Sequence, residues 1–235
     1  GAQPIDHIVD PIAAQEEWRE VIEDRRLKVV TLAPEIPGAL GLVEYLNQRG
    51  VVVSMGHTDA TFDEAMAGHK AGVTQTTHTF NAMRGLHHRE AGTVGFALSQ
   101  DSVACELIYD RHHVSRPAAE LLIKCKPAGG VIAVSDSTLA TGMPSGHKLT
   151  MWGHECETSP GEVRLVSNGA LAGSAITLHD AFRNIAEDFG LEIAIRACSI
   201  NPRQAIRLRG APATYLLLDG SNEIIERVTV SPVGA

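Results

Sequence analysis

VVVSMGHTDATFDEAMAGHKAGVTQTTHTFNAM, residues 51–83, holds the unit whose repetition decides the fold. A β-branched run, Val51 to Met55, ends in the polar cluster Gly56-His57-Thr58-Asp59. An amphipathic stretch, Phe62 to Ala71, leads to a second run, Val73 to Thr77, which ends in His78-Thr79-Phe80-Asn81. Strand, polar cluster, helix, strand and polar cluster again make one βα step of a parallel sheet.

The same step recurs on both sides. Lys28 to Leu32 (KVVTL) reads as a strand ending in Ala33-Pro34-Glu35, with a helix over Ile36 to Asn47. Val103 to Tyr109 (VACELIY) reads as a strand ending in Asp110-Arg111-His112-His113, followed by a helix over Arg116 to Lys124. Gly130 to Val134 (GVIAV) ends in Ser135-Asp136-Ser137. Parallel α/β folds bind ligands at the carboxyl ends of their strands. A doubly wound sheet concentrates its site at one switch point, whereas contributions from successive strands fit a barrel. The expected fold class is therefore α/β, a partial TIM-like (β/α)8 barrel of about five strands.

Beyond the last strand the pattern changes. Lys148 to Leu165 reads as a β-hairpin turning at Ser159-Pro160-Gly161. Ala175 to Phe189 reads as a helix with Gly190 as its C-cap, and Glu192 to Arg207 as a helix interrupted at Asn201-Pro202. Thr214 to Leu218 and Ile224 to Val230 read as two strands, the remnant of a small β-sandwich. The expected division is 1–210 for the barrel domain and 211–235 for the sandwich strands.

Composition narrows the function. The 235 residues carry a formal net charge of -8 and no basic run, which argues against nucleic acid as a partner. No stretch approaches the ~18 apolar residues of a membrane span, and no secretory leader pattern opens the chain. The four cysteines form no CxxC pair and read as reduced, buried thiols. These features give a cytoplasmic reading.

His57 and His78 follow adjacent strands, one βα unit apart. Neutral imidazoles suit zinc and its neighbours, so the pair is read as two ligands of one divalent ion, zinc first, with iron, manganese or cobalt as alternatives; the bland reading is that each His bonds a backbone carbonyl. Asp136 is read as the proton carrier, because a carboxylate beside such an ion can take a proton from water and pass it to a leaving group, the alternative being an Asp that caps the following loop. His113 can polarise a carbonyl or bind a hydroxyl. Arg84, His87, His88 and Arg89 share a loop that either meets an anion or is simply solvated. Glu35 is either a third ligand or a helix-start residue. Gly169 to Ser174 (GALAGS) is either a ligand cradle or a tight turn. His7, His69, His147, His154 and His179 show no partner pattern and read as structural.

In order along the chain stand TLAPE (31–35), GHTDAT (56–61), THTFNAM (77–83), DRHHV (110–114), VSDS (134–137) and LAGSAIT (171–177). Together they resemble the N-acetylglucosamine-6-phosphate deacetylases of the amidohydrolase superfamily, over almost the whole length. The resemblance implies a metal-dependent hydrolase barrel with a small β-sandwich. It implies hydrolysis of N-acetylglucosamine 6-phosphate to glucosamine 6-phosphate and acetate, in a homodimer. It makes His57 and His78 metal ligands, Asp136 the proton shuttle, and His113 a substrate contact near the reacting carbonyl. Asn81 and Ala82 match substrate-contacting positions, Arg89 an arginine that reaches the phosphate, and Leu171, Ala172 and Gly173 a loop that closes over the ligand.

Two departures accompany it. The family's HLEGP, whose Glu is a metal ligand, and its first-strand His-x-His do not occur in this sequence, so three barrel strands are expected upstream of Gly1. A five-strand piece is expected to be unstable alone and to hold metal weakly. The family's DGxH stands here as DRHH, which puts Arg111 where it can crowd the site or add an anion contact. The alternative readings are a related amidohydrolase, acting on N-acetylgalactosamine 6-phosphate or a cyclic amide, and an inactive binding or assembly module.

Overall fold

In the computed structural model, residues 5–12, 14–208 and 214–230 are described. Five short strands, β1 (Val29–Leu32), β2 (Val52–Met55), β3 (Val73–Thr76), β4 (Ala104–Ile108) and β5 (Val131–Val134), form one sheet in the order β1-β2-β3-β4-β5. Every neighbouring pair is parallel. Sequential order with no reversal separates a barrel arc from a doubly wound sheet, so the partial-barrel reading stands. Among the described residues β1 and β5 do not pair, and the arc stays open.

Helices cross between the strands: α2 (Ala39–Gln48), α3 (Phe62–Ala71), α4 (Gly92–Ser99) and α5 (Arg116–Cys125), after an N-terminal α1 (Gln15–Glu23). Helix α2 starts three residues later than its periodicity suggests, because Pro37-Gly38 intervenes and Gly38 takes φ +82°. The sequence reading missed α4. Six of its eight residues are buried and two are glycines, so it shows neither an amphipathic stripe nor good propensity. Both glycines are required. A Cβ at Gly92 (φ +60°) would lie 2.6 Å from Gly85 O, and one at Gly95 2.5 Å from Ala91 Cβ.

Two apolar clusters flank the sheet. Val43, Leu46, Val53, Met55, Val73 and Phe96 join β2 and β3 to α2 and α4. Leu107, Tyr109, Val131, Ala133, Leu122 and Ile185 join β4 and β5 to α5 and to α6 (Leu178–Phe189). Helix α6 begins at Leu178 rather than Ala175, because Thr177 and Asp180 close a reciprocal capping box. After it come α7 (Leu191–Ile195), one π-turn over Arg196–Ile200, and α8 (Asn201–Ala205). The buried Asn201 fastens this break by donating Nδ2 to Ala128 O (3.0 Å) and Val131 O (2.7 Å).

The single hairpin expected over 148–165 is instead part of a four-stranded antiparallel sheet: β6 (Lys148–Met151), β7 (His154–Ser159), β8 (Glu162–Leu165) and β9 (Leu171–Ser174). The overlooked turn is Trp152-Gly153, at φ +50° and +79°, the conformation a two-residue hairpin loop demands. Strands β10 (Thr214–Leu218) and β11 (Ile224–Thr229) pair antiparallel, as expected of the tail. The expected boundary at 210/211 lies outside the described residues. Among the described residues no helix is long and apolar enough to cross a membrane. The four cysteines are free thiols, two buried and two partly buried. Burial raises the Cys105 pKa and pushes Cys198 up to about 12, so both stay protonated.

Candidate metal and acid–base site

Gly56, Thr77 and Ser135 lie just past the ends of β2, β3 and β5, and the next residue in each case is His57, His78 and Asp136. All three take left-handed backbone, at φ +48°, +33° and +48°. That region costs an ordinary residue about 1 kcal/mol or more. Strain at three equivalent strand ends marks a place where side-chain direction outweighs backbone preference. Gly56 makes the approach possible, since a Cβ there would come within 2.6 Å of Thr77 Cβ.

His57 Nε2 and His78 Nε2 lie 2.9 Å apart, with the rings nearly perpendicular at 85°. Both Nδ1 atoms are buried without a hydrogen-bond partner among the described residues. Burial, and then the neighbouring His78, lower the pKa of His57, against a smaller opposing pull from Asp136. The ring is therefore held in the neutral form that binds metals. Two neutral imidazoles facing each other through Nε2 repel unless a proton or a cation lies between them. This donor pair therefore fits a divalent ion. Among the described residues no group of three His, Cys, Asp or Glu side chains could hold one.

Glu35 is engaged by the neighbouring loop. Its carboxylate accepts from Thr58 Oγ1 (2.5 Å) and from Asp59 N–H (2.8 Å), pinning the His57 loop. Thr58 N–H donates to Ala82 O (3.0 Å), and Arg84 N–H to Thr58 O (3.2 Å). Asn81 binds back to His78 O through its own N–H (3.0 Å) and Nδ2 (3.1 Å). The loops after β1, β2 and β3 are thus one hydrogen-bonded body. Glu106 on β4, unnoticed in the sequence, accepts from Gln75 Nε2 (2.5 Å) and from His78 N–H (3.2 Å). Burial raises its pKa, and the charge of Asp136 adds to that. The available signal was a carboxylate in the middle of the apolar run VACELIY.

His113 Nδ1 meets Asp110 Oδ2 at 2.5 Å, in a pair almost free of solvent. Arg111, at φ +69°, does not crowd the site. It turns to α6 and binds Glu187 (2.7 Å) and Asp188 (2.9 Å), where Tyr109 OH also donates to Asp188 (2.8 Å). Arg89 is exposed, with Nη1 2.9 Å from His88 Nε2, and no hydrogen bond or ion pair joins it to His57, His78, His113 or Asp136. Arg84 instead makes a bidentate pair with Asp59 (3.1 and 2.8 Å).

Leu171, Ala172 and Gly173 do not form a loop. They are strand β9, and the next residue braces the loop that carries Asp136. Ser174 N–H donates to Asp136 O (3.2 Å), while Thr138 N–H and Oγ1 donate to Ser174 O (both 3.1 Å). Gly173 permits this contact, since a Cβ there would meet Thr138 Cγ2 at 2.5 Å. GALAGS hid the strand because its glycines resemble a turn.

No protein-family model matches the chain. The N-acetylglucosamine-6-phosphate deacetylase of Lysinibacillus sphaericus is 37% identical over 211 residues, 88% of this chain and 54% of that protein. A shorter relative from Escherichia coli strain K12, provisionally named an N-acetylgalactosamine-6-phosphate deacetylase, is 39% identical over 144 residues, 61% of this chain and 79% of the relative. The crystal structure of N-acetylglucosamine-6-phosphate deacetylase from Thermotoga maritima superposes with a TM-score of 0.86 at 33% identity, covering 97% of this chain and 64% of that one. The chain spans about half the length of most curated relatives it matches. On these matches and the strand order, the chain belongs to the N-acetylglucosamine-6-phosphate deacetylase family.

Proposed function

We propose that the protein hydrolyses the acetamide of N-acetylglucosamine 6-phosphate, giving glucosamine 6-phosphate and acetate, with His57 and His78 holding a divalent metal ion. The observation that carries this reading is the pair of Nε2 atoms 2.9 Å apart on adjacent strand ends, within electrostatic reach of Asp136. When bound, a divalent ion there supplies Lewis-acid polarisation and makes water more acidic. Zinc is the first choice for two imidazole donors, with iron, manganese or cobalt next.

The chain's own groups divide the remaining work. Asp136 takes the proton of the attacking water and passes it to the leaving amine. His113 contacts the acyl oxygen, where negative charge builds in the transition state. Asn81 and Ala82, held by the loop body, contact the substrate, and β9 (Leu171 to Gly173) lines its approach. Arg89, exposed on its loop, reaches the phosphate of a substrate bound in the second subunit of a homodimer. A cytoplasmic location belongs to this reading, supported by the free thiols of Cys105, Cys125, Cys156 and Cys198.

The test is acetate release from N-acetylglucosamine 6-phosphate by protein expressed from its complete reading frame, with metal counted in the same sample. Turnover with one tightly held ion per chain supports the reading. Metal-free protein without turnover defeats it and favours a binding or assembly module. The similarity to the Escherichia coli relative supports a second substrate, N-acetylgalactosamine 6-phosphate, so both epimers belong in the assay.

A further inference from the structure

Asp110 is placed to do more than cap a turn. Its carboxylate has no exposed side-chain surface. Oδ1 accepts from the backbone N–H groups of His112 and His113, both at 2.8 Å, which anchors the group. Oδ2 faces His113 Nδ1 at 2.5 Å. The adjacent His112 does not compete, because its Nδ1 pairs with Glu162 (3.3 Å) on β8. Strand β4, which leads into this turn, lies between β3 and β5, the strands that lead to His78 and Asp136.

We propose that Asp110 is a positioning residue for the deacetylation reaction, fixing the proton of His113 on Nδ1 and leaving Nε2 as the nitrogen that meets the substrate. An ionised carboxylate only accepts, so the proton of this hydrogen bond belongs to the imidazole. The neutral ring then carries its lone pair on Nε2 and accepts from a hydroxyl. Only the doubly protonated ring donates from Nε2 to an acyl oxygen. In that case the second proton reaches Nε2 from solvent before the substrate binds and returns there after product release, while the buried carboxylate on Nδ1 balances the charge of the ring, the role an orienting Asp plays for a catalytic His. Asp110 stays ionised in this setting. Burial alone would raise its pKa, but the hydrogen bonds from His113 and the backbone hold it below the ordinary carboxylate range.

The kinetic part of this inference rests on the deacetylase reading; the tautomer part does not. In the protein from the complete reading frame, NMR with selectively 15N-labelled histidine reports which His113 nitrogen carries the proton. The expected result is Nδ1–H, moving to Nε2–H in Asp110→Asn, because the amide keeps the acceptor for both backbone N–H groups but turns a donor toward the ring. We expect kcat to fall about 100-fold with KM changed by less than about threefold. In a His113→Gln background, Asp110→Asn is expected to cost almost nothing further. An Nε2–H tautomer in the unsubstituted protein, or a second full loss in the His113→Gln background, overturns the proposal. If the unsubstituted protein releases no acetate, the deacetylase reading fails while the NMR measurement still decides the pairing.

Discussion

The proposed reaction gives Asp136 and the two histidines different roles, so their substitutions separate. Asp136→Asn keeps size and hydrogen-bonding capacity but removes the base. Turnover is expected to drop by about 10²–10⁴-fold, with metal content unchanged in elemental analysis and KM close to that of the unsubstituted protein. His78→Ala removes one of two facing donors, so metal content, not only turnover, is expected to fall. Equal metal content in His78→Ala would show that the ion sits elsewhere. The residue types at this site were legible because each closes a β-branched run. Their strain was not, since nothing in GHTD or VSDS announces a left-handed φ. Nor was the commitment of Glu35, which shares TLAPE with a strand end yet spends both oxygens on the neighbouring loop.

At the scale of elements, Arg111 links the β4 loop to α6 in place of the family's glycine. Two opposing terms act there. The left-handed backbone (φ +69°) disfavours any side chain by about 1 kcal/mol, while the pairs with Glu187 and Asp188 fasten helix to loop. Arg111→Ala keeps the strain and loses the pairs, and Arg111→Gly loses the pairs but relieves the strain. The glycine variant is therefore expected to be more stable than the alanine variant by about 1 kcal/mol in urea melts. Equal stabilities would mean that the turn relaxes. The Asp188 end gives a pH signature. Burial alone would raise its pKa, but Tyr109 and Arg111 hold it below its ordinary value. A depressed folded pKa gives stability that is present above the unfolded value, near 4, and is lost as pH falls through the folded one. Asp188→Asn is expected to lower the melting temperature at pH 7 and to flatten its fall below about pH 4. Elements with a strong period, such as α5 and α6, could be read from the sequence. Helix α4 and strand β9 could not, because burial on all sides and forced glycines erase the pattern on which such reading depends.

For the whole molecule, the His57–His78 pair sits where two packed halves meet. His57 and His78 follow β2 and β3, in the cluster with α2 and α4, while the loop carrying Asp136 follows β5, in the cluster with α5 and α6. An ion held by His57 and His78 thus ties the loop after β2 to that after β3. In the unfolded chain those imidazoles, 21 residues apart, have no shared geometry. Binding to the folded state alone adds RT ln(1 + [L]/Kd), about 2.7 kcal/mol at a hundredfold excess over Kd. At ~2–4 °C per kcal/mol for a chain of this size, zinc is expected to raise the melting temperature by roughly 5–10 °C, and a chelator to reverse the shift. His78→Ala should melt at one temperature with or without zinc. A zinc-dependent shift that survives this substitution would place the stabilising ion away from the His57–His78 pair, and with it the chemistry assigned to that end of the sheet.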